Sequence, residues 1–167
     1  MPLTATIKAS IAALLTGAND MANPSLQFTE AFSLPIADGN AADQANNVFC
    51  DERTLGASAT ENLDLAGGLT NALGATLTFT AIKAILVIAS ASNTNNVVLG
   101  GAGANTFVGP FGDASDKIVI GPGDSFLITR RSAAGMAVTA GTGDILLVAN
   151  SGAGTAVTYR IVIIGEA

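Results

Sequence analysis

A lone cysteine, a few carboxylate pairs and one glycine-rich run are the residues of this chain whose chemistry comes first to mind. Cys50 is the only cysteine and there is no histidine. The bases within sequence reach of Cys50 are therefore Asp51, Glu52 or a lysine, and no thiolate-stabilising partner is evident. Hydrolysis by a Ser-His-Asp triad is impossible without histidine, and a single chain cannot assemble a cysteine zinc site. The acids Asp51–Glu52, Asp113–Asp116 and Asp124 raise glycosidase or calcium chemistry. Yet "DASD" is too sparse in oxygen ligands for a calcium loop. These acids lie near Gly, Ser or Pro, where turn formation and capping account for them.

The run "VVLGGAGANTFVGPFGD" (97–113) resembles a phosphate cradle only superficially. Gly101-Ala-Gly103 lacks the third glycine of a dinucleotide fingerprint, and Gly109-Pro110 prevents the helix that would face an anion. The expectation is a loop between strands. No enzyme, cofactor or metal is predicted.

Composition narrows the remaining classes. In 167 residues, charged side chains make up 12%, against ~25% in ordinary soluble domains. Hydrophobic residues reach 49% with only 5% aromatic, so Ala, Gly, Thr, Ser and Asn cover much of the exterior. Such a surface is weakly defended against self-association. The net charge is −6, and Arg130 and Arg131 are the only adjacent basic residues. Nucleic acid and anionic membranes are excluded as partners for want of a positive footprint. The start "MPLTATIKASIAALLTGAND" has Lys8 ahead of a short apolar stretch but no A-x-A site. Unprocessed synthesis in a cytoplasm is expected.

The elements follow from periodicity. Residues 1–35 read as an arm. Ile7, Ile11 and Leu14 fall at helical spacing, while β-branched neighbours favour extended chain, so both forms are open. "SLQFTEAFSLPI" suggests a strand anchored by Leu26, Phe28 and Phe32 and stopped at Pro35, followed by a polar loop with an Asp38-Gly39 turn. Residues 36–167 read as a β domain. "TLTFTAI" alternates, with Leu77, Phe79 and Ala81 on one face, and "IKAILVIAS" is apolar on both faces and needs cover on each. "DKIVI" and "SFLITR" flank a Gly-Pro-Gly-Asp turn, "ILLVA" follows, and the last strand puts Val157, Tyr159, Ile161 and Ile163 on one face. Its other face turns apolar at Val162 and Ile164. Short strands with glycine-rich turns predict an all-β two-sheet sandwich, jelly-roll-like, with an N-terminal arm.

The opening twenty residues, "DERTLGASATENLDLAGGLTNALGATLTFTAIKAILV" and "VANSGAGTAVTYRIVIIG" resemble small virion proteins of tailed bacteriophages and prophages. The shared order is an arm, the D-L-A-G-G-L turn, the T-F-x-x-I-K-A strand, the N-T-N-N-V loop and a tyrosine-bearing last strand. The resemblance implies a virion structural protein, made in the bacterial host cytoplasm, that decorates or cements a capsid by binding the major capsid protein. It also implies a homotrimer. On that expectation Ile7, Ile11, Leu14 and Leu15 anchor the arm as a clasp, and Val162 and Ile164 form a face covered by neighbours. A tail or fibre protein binding a host-surface carbohydrate is the alternative, although Tyr159 is the only tyrosine and there is no tryptophan. A small enzyme is the third reading.

Overall fold

The computed structural model describes residues 2–167, which contain strands and no helix. In chain order the strands are β1 (Ala5–Thr16), β2 (Ser25–Asp38), β3 (Gln44–Ala45), β4 (Asn47–Leu55) and β5 (Thr60–Asp64). Then come β6 (Leu69–Thr70), β7 (Thr76–Leu77), β8 (Ala81–Ala89), β9 (Val97–Gly100) and β10 (Lys117–Ile120). The last four are β11 (Ser125–Thr129), β12 (Met136–Ala137), β13 (Ile145–Asn150) and β14 (Val157–Glu166).

Nine of these build a sandwich. One sheet has the order β4-β14-β8-β11, with β12 also pairing β8, and the other has the order β5-β13-β9-β10. Every pairing within the two sheets is antiparallel. The chain passes back and forth between the sheets so that the last strand lies between β4 and β8. This is the jelly-roll wrapping.

Alternating side chains drive that arrangement. Val157, Tyr159, Ile161 and Ile163 of β14 point inward together with Leu146 and Val148 of β13 and Ile85 and Val87 of β8. Each such side chain contributes about 1.5–3 kcal/mol when fully buried. In "TLTFTA" the expected alternation is present, with Leu77, Phe79 and Ala81 buried and the threonines exposed. Strand pairing nevertheless breaks between Leu77 and Ala81, because Phe79 N–H donates to Leu65 C=O at 2.8 Å and Thr80 N–H to Glu166 C=O at 2.8 Å. These two bonds tie the segment to two different elements.

The glycine-rich run is β9 followed by the loop to β10. Phe107, fully buried, pins that loop to the core. Gly100 has φ +92°, a conformation that side chains with a Cβ resist.

Two polar devices lock the sandwich. At the edge where β4 and β5 face each other, the buried Tyr159 hydroxyl donates to Glu61, which also accepts from Arg53 at 2.8 Å. Arg53 lies 3.2 Å from Asp51 and over the Phe49 ring. Burial, then the Glu61 carboxylate, hold the Tyr159 phenol well above the usual tyrosine range. The second device is Lys83 on β8, wholly buried, whose ammonium donates to Ser132 C=O at 2.7 Å and Ala133 C=O at 2.6 Å. It also lies 3.6 Å from Glu166.

The N-terminal segment is extended. β1 and β2 form one long hairpin, and β2 continues through Pro35 to Asp38, where it meets β3 in parallel. The expected stop at Pro35 is therefore corrected. Proline is tolerated here because β2 has no second partner until Ala37, so a missing N–H on its open side breaks no ladder bond. The helical form of the arm is likewise set aside.

Candidate functional site

The β1–β2 hairpin is a ribbon with two different faces. Register pairs Ala5 with Ile36, Ile7 with Leu34, Ala9 with Phe32, Ile11 with Glu30, Ala13 with Phe28 and Leu15 with Leu26. Side chains directly opposite share a face, so this face is apolar from end to end apart from Glu30. The opposite face carries Thr6, Lys8, Ser10, Thr16, Ser25, Gln27, Thr29 and Ser33, with Leu14 as its large apolar member. Ile11 and Leu15 therefore act together, and Leu14 points the other way.

The base of the ribbon is covered and the rest is not. Leu34, Ile36 and Ala45 pack with Ala84 and Ile164 on the outer face of the β4-β14-β8-β11 sheet, flanked by Leu3, Ala5, Ile7, Val48 and Val162. Beyond that contact Ile11 is 67% exposed, Leu15 70%, Leu26 61% and Phe28 52%. Two strands alone are marginally stable in water, and an apolar patch of this extent on a monomer marks an interaction surface.

Of the six expected contact residues, Ile7, Val162 and Ile164 meet at the base, where Ile164 is buried by the chain's own hairpin. Ile11, Leu14 and Leu15 lie out along the ribbon. The cover that the apolar end of β14 requires is thus supplied in part within the chain. Beside the base an apolar groove of ≈ 390 Å³ stays open, lined by Ile7, Ala84, Leu86, Leu127, Val162 and Ile164 and bordered by Thr6 and Lys8.

Asp51 and Glu52 lie within strand β4, not at the expected turn, and Asp51 lies 3.2 Å from Arg53. Asp113 accepts from the N–H and hydroxyl of Ser115, both at 2.9 Å, which holds its carboxyl below the usual range. Asp116 accepts from the N–H groups of Gly112 and Asp113, closing the same turn. Asp43, not singled out by sequence, is held low by a two-bond pairing with Arg131. Cys50 is exposed on the outer sheet face, opposite Val162 on β14. Among the described residues no group of three or more His, Cys, Asp or Glu is arranged to hold a metal. Glu52, Ser90, Ser92, Tyr159 and Arg160 are among the residues lining a partly open depression on the sandwich. The arrangement that stands out is an amphipathic ribbon beside an apolar groove.

Sequence reasoning missed the pairing of β1 with β2 and hence the ribbon. The signal was present as period-two alternation in Leu26, Phe28, Phe32, Leu34 and Ile36. No protein-family model, curated protein or solved structure matches the chain.

Proposed function

We propose that this is a structural protein of a tailed-phage virion, which decorates and cements the capsid. The sandwich is the body, seated on the major capsid protein, and the β1–β2 ribbon is a clasp reaching to a neighbouring subunit. The observation that carries the reading is the uncovered apolar face of the ribbon from Ile11 to Phe28. A weak contact of this kind, repeated over many sites on a shell, sums to a strong hold. The resemblance of the three sequence stretches to small phage virion proteins supports the same reading, as does the acidic balance. A protein facing packed nucleic acid gains from positive charge, and this one carries −6.

The test is reconstitution. Purified protein is added to heads that lack it, and binding is read by co-sedimentation, position by antibody labelling in electron micrographs, and effect by survival of heated particles. The expected result is label over the head and raised heat resistance. Label confined to the tail, or no binding, overturns the proposal.

A further inference from the structure

The outer face of the β4-β14-β8-β11 sheet is ordered in rows. Thr129, Ala84, Ile164 and Val48 stand in register and form the row under the ribbon base. The next row is Leu127, Leu86, Val162 and Cys50, apolar and only partly covered. The row after it contains Ser125, Ile88, Arg160 and Glu52. The ribbon has the matching sequence of rows beyond its base, with Phe32 and Ala9 first and Glu30 and Ile11 second.

We propose that the distal ribbon of one copy lies on the outer sheet face of a second copy, continuing in trans the contact its base makes in cis. This deepens the clasp reading above by taking the neighbouring subunit that the ribbon grips to be a second copy of this chain, a contact that stands on its own geometry. Three observations select a second copy as occupant. The first is continuity, since the open Leu86–Val162 row adjoins the row that the ribbon base already covers. The second is charge. Glu30 is the only charged residue in the paired rows of the ribbon's apolar face, and Arg160 is exposed on the sheet with Glu52 opposite it on β4; neither Glu30 nor Arg160 forms an ion pair among the described residues. Glu30 follows Phe32 by one row on the ribbon, and Arg160 follows Val162 by one row on the sheet. Both steps are about 7 Å, so seating Phe32 over Val162 and Leu86 brings the carboxylate level with the guanidinium. Stacking two ribbons face to face instead places two Glu30 carboxylates in one apolar layer without a cation. The third is extent. Ile11, Leu15, Leu26, Phe28 and Phe32 each leave on the order of 100 Å² uncovered. Together they offer about 500 Å², the larger part of the ~800 Å² that one partner brings to a standard interface. The contact is head to tail, so copies close into a ring once the rotation permits.

The experiment measures mass by sedimentation on the isolated full chain at micromolar concentration. The wild-type protein is expected to be an oligomer. Glu30→Arg and Arg160→Glu, both at exposed positions and checked for fold by circular dichroism, are each expected to weaken association at least tenfold. The double variant restores it. Mixing the two single variants restores association between unlike copies, which an ion pair within one chain cannot do. A monomeric wild type, or an oligomer indifferent to both reversals, overturns the inference. Head binding is read separately. Association without binding to heads refutes the capsid function and leaves this contact standing, whereas binding to heads by a monomer does the reverse.

Discussion

Replacing Lys83 with methionine removes a charge from the interior while keeping the length of the side chain. The wild-type ammonium, 0% exposed, serves Ser132 C=O, Ala133 C=O and Glu166. Ser132 and Ala133 are exposed residues, so water takes over part of what their carbonyls lose. Glu166 has no such recourse. It is 8% exposed, and its Oε2 has no hydrogen-bond partner even in the wild type. Removing one member of a buried ion pair costs about 3–5 kcal/mol, and rehydration of the loop carbonyls places Lys83→Met at the lower end, about 3 kcal/mol. With a urea dependence near 2 kcal/mol per molar for a chain of this size, the unfolding midpoint falls by about 1.5 M at unchanged slope. The double variant Lys83→Met, Glu166→Leu removes both charges and is expected to recover most of that loss. Equilibrium urea unfolding of these three proteins and of Glu166→Leu alone measures the coupling. A loss below about 1 kcal/mol in the single variant, or a double variant as unstable as the sum of its parts, refutes the view that this pair is a buried lock.

Tyr159→Phe removes the hydroxyl that Glu61 accepts from, and is expected to cost about 1.5–3 kcal/mol in urea unfolding, the range for a bond to a charged group. The phenol is held protonated in the fold, whereas the unfolded chain releases its proton near pH 10. Stability from this group is therefore complete below about pH 10 and declines as pH rises further, a loss that Tyr159→Phe abolishes in alkaline unfolding curves. Gly100→Ala sets a Cβ 2.5 Å from Asp116 O and 2.7 Å from the Phe111 ring at a positive φ. It is expected to lower stability by about 2 kcal/mol or more, read as a fall in thermal midpoint. Replacing Ala9–Phe32 by an Asn-Gly turn between the paired residues Lys8 and Ser33 keeps the ribbon base. That variant is expected to fold, as read by circular dichroism, and to lose self-association in sedimentation.

The sandwich was legible because its strands declare which face is inward. In β14 the inner set Val157, Tyr159, Ile161 and Ile163 is read directly from alternation, and the same holds for Leu77 and Phe79. The arm was less legible for a geometric reason. Ile7 and Ile11 are four residues apart, a spacing that serves both a helix face and a strand face. The alanines at 5, 9 and 13 complete the strand face without adding a strong hydrophobic signal. Leu14 then suggested a helix that Leu15, the true continuation of the face, does not support. Lys83 was hidden for another reason: its partners come from residues 132, 133 and 166, and no local pattern announces them. The candidate contacts at Val162 and Ile164 were visible as an apolar outer face, but not that residues 34 and 36 of the same chain cover part of it.

The position of β14 between β4 and β8 has a consequence for how the chain is made. Both neighbours leave the ribosome long before their shared partner exists. β8, the most continuously apolar strand, must wait with one edge unpaired while the residues from Ser90 to Ala156 are synthesised. Such an edge is an invitation to pairing with the wrong chain. The surface on which the ribbon base rests includes Ile164, so it too is completed only when β14 docks. Chains interrupted before β14 therefore lack both a closed core and a seat for the ribbon, and incomplete copies are kept out of any assembly built on that face.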